Sequence, residues 1–161
     1  MVRAGILARM KLAEALLLRA DIQKKLASLR ERIVANVVVQ DKDKPHEDPN
    51  ALLAEAFGAQ DELEALVFKI NETNLKAKLP DKRTLTAAIA RRDTLVARHA
   101  LVLAAIAGTR KEPERYSARE IKWVATVNVG KLQKQSDDLS KKIRDLNGLV
   151  QQTNWKTDLV D

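Results

Sequence analysis

The chain has 161 residues, of which 45% are apolar, 3% aromatic and 32% charged, and its formal net charge is +7. With only five glycines, four prolines and few aromatic rings, this composition favours a helical core of leucine, isoleucine, valine and alanine. The lack of cysteine excludes disulfides and thiolate metal sites, and we expect a cytoplasmic protein. No apolar run approaches the roughly 20 residues that span a bilayer, so no transmembrane helix is expected.

A first helical hairpin is predicted from apolar spacing and from a break that contains two prolines. Apolar residues recur at helical spacing from about Leu7 to about Val38, which predicts a long first helix. The charged segment from Asp41 to Pro49 cannot continue that helix. We expect Asp48 to cap a second helix, with Pro49 at its first position, where a missing N–H costs nothing.

The second and the last predicted helices carry the same heptad seam, in which the gaps alternate between three and four residues. The earlier seam comprises Leu52, Ala56, Ala59, Leu63, Leu66, Ile70 and Thr73. The later seam comprises Val129, Leu132, Ser136, Leu139, Ile143, Leu146, Val150 and Thr153. Each seam ends in a Thr-Asn pair, and the two pairs lie eighty positions apart. This spacing indicates an internal duplication.

The third helix repeats the first at an offset of 73 residues, so that Leu12 corresponds to Leu85. Thr84 is its expected N-cap, and Gly108 marks its expected end. Because the offset rises to 80 in the following helix, the second connector must be seven residues longer than the first. Within that connector, Ser117 to Glu120 has the form of a capping box, and the β-branched segment from Ile121 to Val129 predicts an extended arm that ends at a capping Asn128.

These patterns predict an all-α fold. We expect a single helical domain over residues 1–161, built from two long antiparallel helical hairpins of about residues 7–79 and 84–159. Together they would form an elongated four-helix bundle with a short extended, β-like arm.

The sequence also resembles the septicolysin-like family of small bacterial proteins. The segments that carry this resemblance are Met10-Lys11-Leu12-Ala13-Glu14-Ala15-Leu16, Arg83-Thr84-Leu85-Thr86, Arg91-Arg92-Asp93, Arg115-Tyr116-Ser117 with Glu120-Ile121-Lys122, and Gln152-Thr153-Asn154-Trp155. The family label implies a cytolysin, but it brings no established catalytic or binding residue to carry over. Members usually begin near Met10, which makes that residue an alternative start to Met1.

No motif of a known catalytic centre is found in the sequence. There is no glycine-rich phosphate loop, nucleophile elbow or paired-carboxylate motif, so we expect neither an enzyme nor a cofactor. The two histidines, His46 in the first connector and His99 on the third-helix stripe, have no neighbouring ligand, and no metal site is expected. We interpret His99 as a core or interface histidine.

A polar layer is a second candidate feature. Arg19 and Arg92 lie on the apolar stripes of the first and third helices, and a buried guanidinium must be paired. Each could meet an acid or one of the Thr-Asn pairs; alternatively, both arginines extend their charged groups to water from the edge of the stripe. The members of this candidate layer are Arg19, Arg92, Thr73, Asn74, Thr153 and Asn154. We further expect Asn74 and Asn154 to end their helices in a capping or left-handed conformation.

Apolar residues away from the seams predict self-association. These are Val37 to Val39, Phe57, Val67 and Phe68, and Trp123 and Trp155 are further interface candidates. The leading hypothesis is therefore a non-enzymatic structural or interaction protein that acts as a cytoplasmic homo-oligomer. The alternatives are a membrane-active cytolysin, as the family label implies, and a nucleic-acid-binding protein, as the basic charge permits. The charge argument is weakened by the segment 41–80, where nine acidic and five basic residues give −4.

Overall fold

The computed structural model describes residues 10–110 and 123–160, and these residues form four α-helices. Their bounds are α1 Leu12–Asn36, α2 Pro49–Lys76, α3 Leu85–Gly108 and α4 Val129–Lys156. Within the described residues there is no β-strand, and the only β-type pairing consists of two isolated bridges. The predicted all-α class is confirmed.

The chain divides into two compact units, each containing one hairpin. The first comprises Met1–Ala77 and Gln152–Asp161, and in it α1 packs on α2 through the buried cluster Leu29, Leu52 and Ala56. The second comprises Lys78–Gln151, and in it α3 packs on α4. The two predicted hairpins are confirmed, whereas a single domain over the whole chain stays a prediction.

The helix bounds confirm the internal duplication. Helices α1 and α3 begin 73 residues apart, and α2 and α4 both begin and end 80 residues apart. Corresponding side chains are also buried alike, since Leu12 and Leu85 are both 0% exposed. The seven extra residues therefore fall in the second connector, as predicted.

Each unit is closed by the same short backbone pairing. In the first unit, the N–H of Leu159 donates to the carbonyl of Met10 at 2.8 Å. In the second, the N–H of Leu79 donates to the carbonyl of Arg83, also at 2.8 Å. Both leucines are 3% exposed, so the segment after each long helix buries one leucine side chain and fixes it with a backbone hydrogen bond.

Three predicted N-caps are confirmed. The Asp48 carboxylate accepts from the N–H of Asn50 at 2.9 Å, the Thr84 hydroxyl from Ala87 at 3.2 Å, and the Asn128 amide oxygen from Lys131 at 2.9 Å. Each bond satisfies a backbone donor that has no partner within its own helix.

The predicted ends of α2 and α4 at Asn74 and Asn154 are wrong. Both helices continue for two residues, to Lys76 and Lys156, and neither asparagine adopts a positive φ. The physical reason is visible at Ala77, whose N–H bonds to the Thr73 carbonyl while its own backbone is already extended. The helix therefore ends by leading directly into the closing segment, and a left-handed residue is not needed.

The predicted end of α1 is corrected by local hydrogen bonds. Helix α1 ends at Asn36, before Val38, because the Asn36 amide donates to the carbonyl of Arg32 and accepts from the N–H of Glu47. The predicted end of α3 at Gly108 is confirmed, and Gly108 has no positive φ.

The predicted extended arm is not seen in the part of the connector that the structure describes. Residues 123–128 form neither a strand nor a bridge, and α4 already begins at Val129. Residues 121 and 122, and the capping box at 117–120, lie outside the described residues.

Candidate functional site

The candidate site is an apolar face of α2 that points away from the core of the first unit. We define this outer face as Leu53, Phe57, Phe68 and Leu75, which lie within about 60° of one another around the helix axis at 100° per residue. Phe57 is 60% exposed and Phe68 is 68% exposed. Val67, which was predicted to lie beside them on the surface, is half-buried. Helix α2 thus has a second apolar side besides its heptad seam.

The duplicated helix shows that hairpin packing does not require this face. The α4 positions that correspond to Phe57 and Phe68 are Asp137 and Gly148, eighty residues later. Helix α4 has the corresponding bounds although it carries an aspartate and a glycine at these positions, so the two phenylalanines are specific to α2.

Two carboxylates lie between the phenylalanines on the outer face. Asp61 and Glu64 are both exposed, and neither forms an ion pair or side-chain hydrogen bond with any residue that the structure describes. Their counterparts in α4 are Lys141 and Arg144, of opposite charge. The outer face is therefore apolar at both ends and acidic in the middle.

A histidine-centred polar cluster lies inside the second unit. The Nε2 atom of His99 on α3 lies 2.9 Å from the Ser136 hydroxyl and 3.0 Å from the Ser140 hydroxyl, both on α4. Ser136 is 3% exposed, so its hydroxyl needs this partner and cannot reach a substrate in solution. Sequence spacing predicted that His99 lies on the α3 stripe and Ser136 on the α4 seam, but it did not predict a contact between the two side chains.

The first unit has apolar residues at the matching positions. His99 corresponds to Leu26 and Ser136 to Ala56; Ala56 belongs to the buried cluster between α1 and α2, and the half-buried Leu26 packs against that cluster. One hairpin therefore uses a hydrogen-bonded polar contact where its duplicate uses a hydrophobic one. Among the described residues, the His99 side chain forms hydrogen bonds with these two α4 hydroxyls, so the contact links α3 to α4.

Among the described residues, no group of three or more His, Asp or Glu side chains is arranged to hold a metal ion. His46 is exposed in the connector between α1 and α2. No helix in the described ranges is long and apolar enough to cross a membrane.

The candidate polar-layer residues are divided between the two units. Thr73, Thr153 and Asn154 are buried in the first unit, and Asn74 is half-buried there. The Thr73 hydroxyl donates to the Lys69 carbonyl and accepts from the N–H of Val160, so it joins the helix end to the closing segment.

The two arginines of that candidate layer differ in their surroundings. In the first unit, Nε of Arg19 is buried and has no hydrogen-bond partner among the described residues. In the second unit, Arg92 pairs with the adjacent Asp93 through two nitrogens, at 3.0 and 2.8 Å. A layer that joins both arginines to the Thr-Asn pairs stays a prediction.

Trp123 and Trp155, the candidate interface residues, are both more than half exposed. Trp123 lines a cavity at the end of α3, together with Gly108 and Thr109. Trp155 is the counterpart of Leu75, which is 63% exposed, so this position is apolar and exposed in both repeats.

Two ion pairs hold the connector and helix α2 against α1. The Arg32 guanidinium forms two hydrogen bonds with the Glu47 carboxylate, and these bonds lower the pKa of Glu47 and raise that of Arg32. The Lys25 ammonium lies 2.8 Å from the Glu55 carboxylate, and the hydrogen bond between them lowers the pKa of Glu55. In the second unit, Asp81 and Arg83 form a similar pair, in which the pKa of Asp81 is lowered and that of Arg83 is raised.

Comparison with known proteins places this architecture among proteins of undetermined role. A search of curated proteins finds no match. A crystal structure described as a functionally unknown conserved protein from Corynebacterium diphtheriae matches 94% of this chain and 99% of its own, with 32% sequence identity and a TM-score of 0.87. A family model matches residues 19–159, and the septicolysin-like label receives no support from these findings. The chain belongs to the family of unknown function DUF6847.

Proposed function

We propose that this protein is a non-enzymatic interaction protein that acts as a cytoplasmic homo-oligomer, and that the outer face of α2 is its interface. The observation that carries this proposal is the exposure of Phe57 and Phe68 on one side of α2, at positions where the duplicated helix has Asp137 and Gly148. Burying a phenylalanine side chain contributes about 1.5–3 kcal/mol, so covering both stabilises an assembly substantially.

The charges of this face disfavour the alternative of membrane lysis. A helix that enters a bilayer by its outer face would carry Asp61 and Glu64 into the apolar region between the two phenylalanines. Carboxylates in hydrocarbon are costly, and they are also repelled by anionic headgroups. A protein partner can instead offer cations to both carboxylates.

The experiment is to replace both phenylalanines by aspartate in the full-length protein. The variant Phe57→Asp/Phe68→Asp should run as an 18.0 kDa monomer in size exclusion with light scattering, while the wild type gives a larger, defined mass. Each anchor residue lost from the centre of an interface costs on the order of 2 kcal/mol or more, so the dissociation constant should rise at least about 100-fold. Helical content should be unchanged, because α4 already accepts Asp137 at the position of Phe57.

The matched control is Leu17→Asp, because Leu17 on α1 is 59% exposed, like Phe57. It should leave the mass of the assembly unchanged. A wild-type protein that is monomeric at micromolar concentration would overturn the proposal, as would an aspartate double variant that keeps the wild-type mass.

A further inference from the structure

A groove along the second hairpin has the features needed to receive an acidic, apolar helix face. Two adjoining cavities of about 320 and 450 Å³ lie between α3 and α4 and share Lys142. We call them together the α3/α4 groove. Its apolar lining includes Leu95 and Val102 of α3 and Leu139 and Leu146 of α4.

The groove has an apolar floor and a mainly basic rim. Four of its lining residues are basic and two, Asp138 and Asp145, are acidic. Arg83 is already paired with Asp81. In contrast, Arg91, Arg98 and Lys142 form no ion pair or side-chain hydrogen bond with the residues that the structure describes.

In the first hairpin, the residue that corresponds to Arg98 has an acidic partner on the other helix of the same hairpin. Arg98 corresponds to Lys25, which pairs with Glu55 at 2.8 Å. At the position of Glu55, the second hairpin has Gln135, which carries no charge. Arg98 therefore lacks the acid that its counterpart has, and an anionic group from another molecule can take that place.

The groove is long enough to receive both phenylalanines of the outer face. On α4 the lining runs from Gln135 to Leu149, which at 1.5 Å per residue is about 21 Å. Phe57 and Phe68, the two phenylalanines of the outer face, lie about 17 Å apart along α2. Two cavities in line can accept two phenylalanines about three turns apart.

Building on the proposed function, we propose that the α3/α4 groove of one copy binds the outer face of α2 of a second copy. Phe57 and Phe68 fill the two cavities, and Asp61 and Glu64 between them meet the unpaired cations of the rim. This contact joins two different surfaces, so the copy whose groove is filled keeps a free face, and the copy whose face is covered keeps a free groove. Such head-to-tail contacts close into rings or continue as filaments.

The test uses two full-length variants that each lack one half of the contact. One is the face variant Phe57→Asp/Phe68→Asp, which keeps its groove. The other is the groove variant Arg98→Glu/Lys142→Glu, which keeps its face. Each alone should be monomeric, with self-association weakened at least about 100-fold by the loss of its anchors. Mixed in equal amounts, they should form a one-to-one complex of twice the chain mass in sedimentation velocity, because one intact face meets one intact groove.

The outcomes separate this inference from the proposed function. If the groove variant alone keeps the wild-type mass, the interface is α2 against α2; the groove inference fails and the proposed function stands. If both variants are monomeric but their mixture contains no complex, the pairing of face with groove is likewise overturned. If the face variant keeps the wild-type mass, both proposals fail. Leu101→Asp, at a groove residue that is 71% exposed, serves as a second groove variant should the double charge reversal reduce helical content.

Discussion

Replacing Leu12 or Leu85 by alanine should lower the free energy of unfolding by the same amount, about 3 kcal/mol in each case. Both side chains are 0% exposed at the first position of their helices, 73 residues apart. Each substitution removes buried methyl groups and leaves a cavity beside the closing pairing of its unit. Urea titrations followed by circular dichroism supply the values, with Leu17→Ala as an exposed control that should change little.

Equal losses are the expected signature of a duplicated core. If one alanine variant is silent while the other unfolds the protein, the two helix starts are not equivalent in the folded state. The structural correspondence would then have no energetic counterpart.

The second prediction concerns His99, a position at which the two repeats have different residues. Replacing His99 by leucine should cost about 2 kcal/mol, because the buried Ser136 hydroxyl loses its partner. Adding Ser136→Ala should recover most of the lost stability, since the two residues then match Leu26 and Ala56 of the first hairpin. The half-buried Ser140 hydroxyl is reached by water in both variants.

A double-mutant cycle on these two substitutions measures the coupling directly. We expect the double variant to be more stable than His99→Leu alone, with a coupling of at least about 1 kcal/mol. Additive losses would show that the hydrogen bond between His99 and Ser136 contributes nothing to stability.

The sequence was most informative where a local pattern determines the structure. The caps at Asp48, Thr84 and Asn128 were predictable because each is decided by a single side chain beside a helix start. The hairpins and their offsets were predictable because heptad spacing survives in both copies.

The predictions failed where a distant segment decides the local structure. Asn74 and Asn154 have the residue type of a helix end, but the pairing of the following segment with another part of its unit carries each helix two residues further. The contact of His99 with Ser136 was missed because it depends on the register between α3 and α4. The outer face was found in part, since Phe57 and Phe68 lie off the seam, but only the structure shows their common exposure.

The central claim, that another copy covers the outer face of α2, is tested most directly by hydroxyl-radical footprinting of the unmodified protein. Oxidation of Phe57 and Phe68 is measured at concentrations below and above assembly, with the equally exposed Leu17 as an internal reference. We expect both phenylalanines to become protected as the concentration rises, while Leu17 reacts at a constant rate. Phenylalanines that react equally at every concentration, in a protein that does assemble, would contradict the claim.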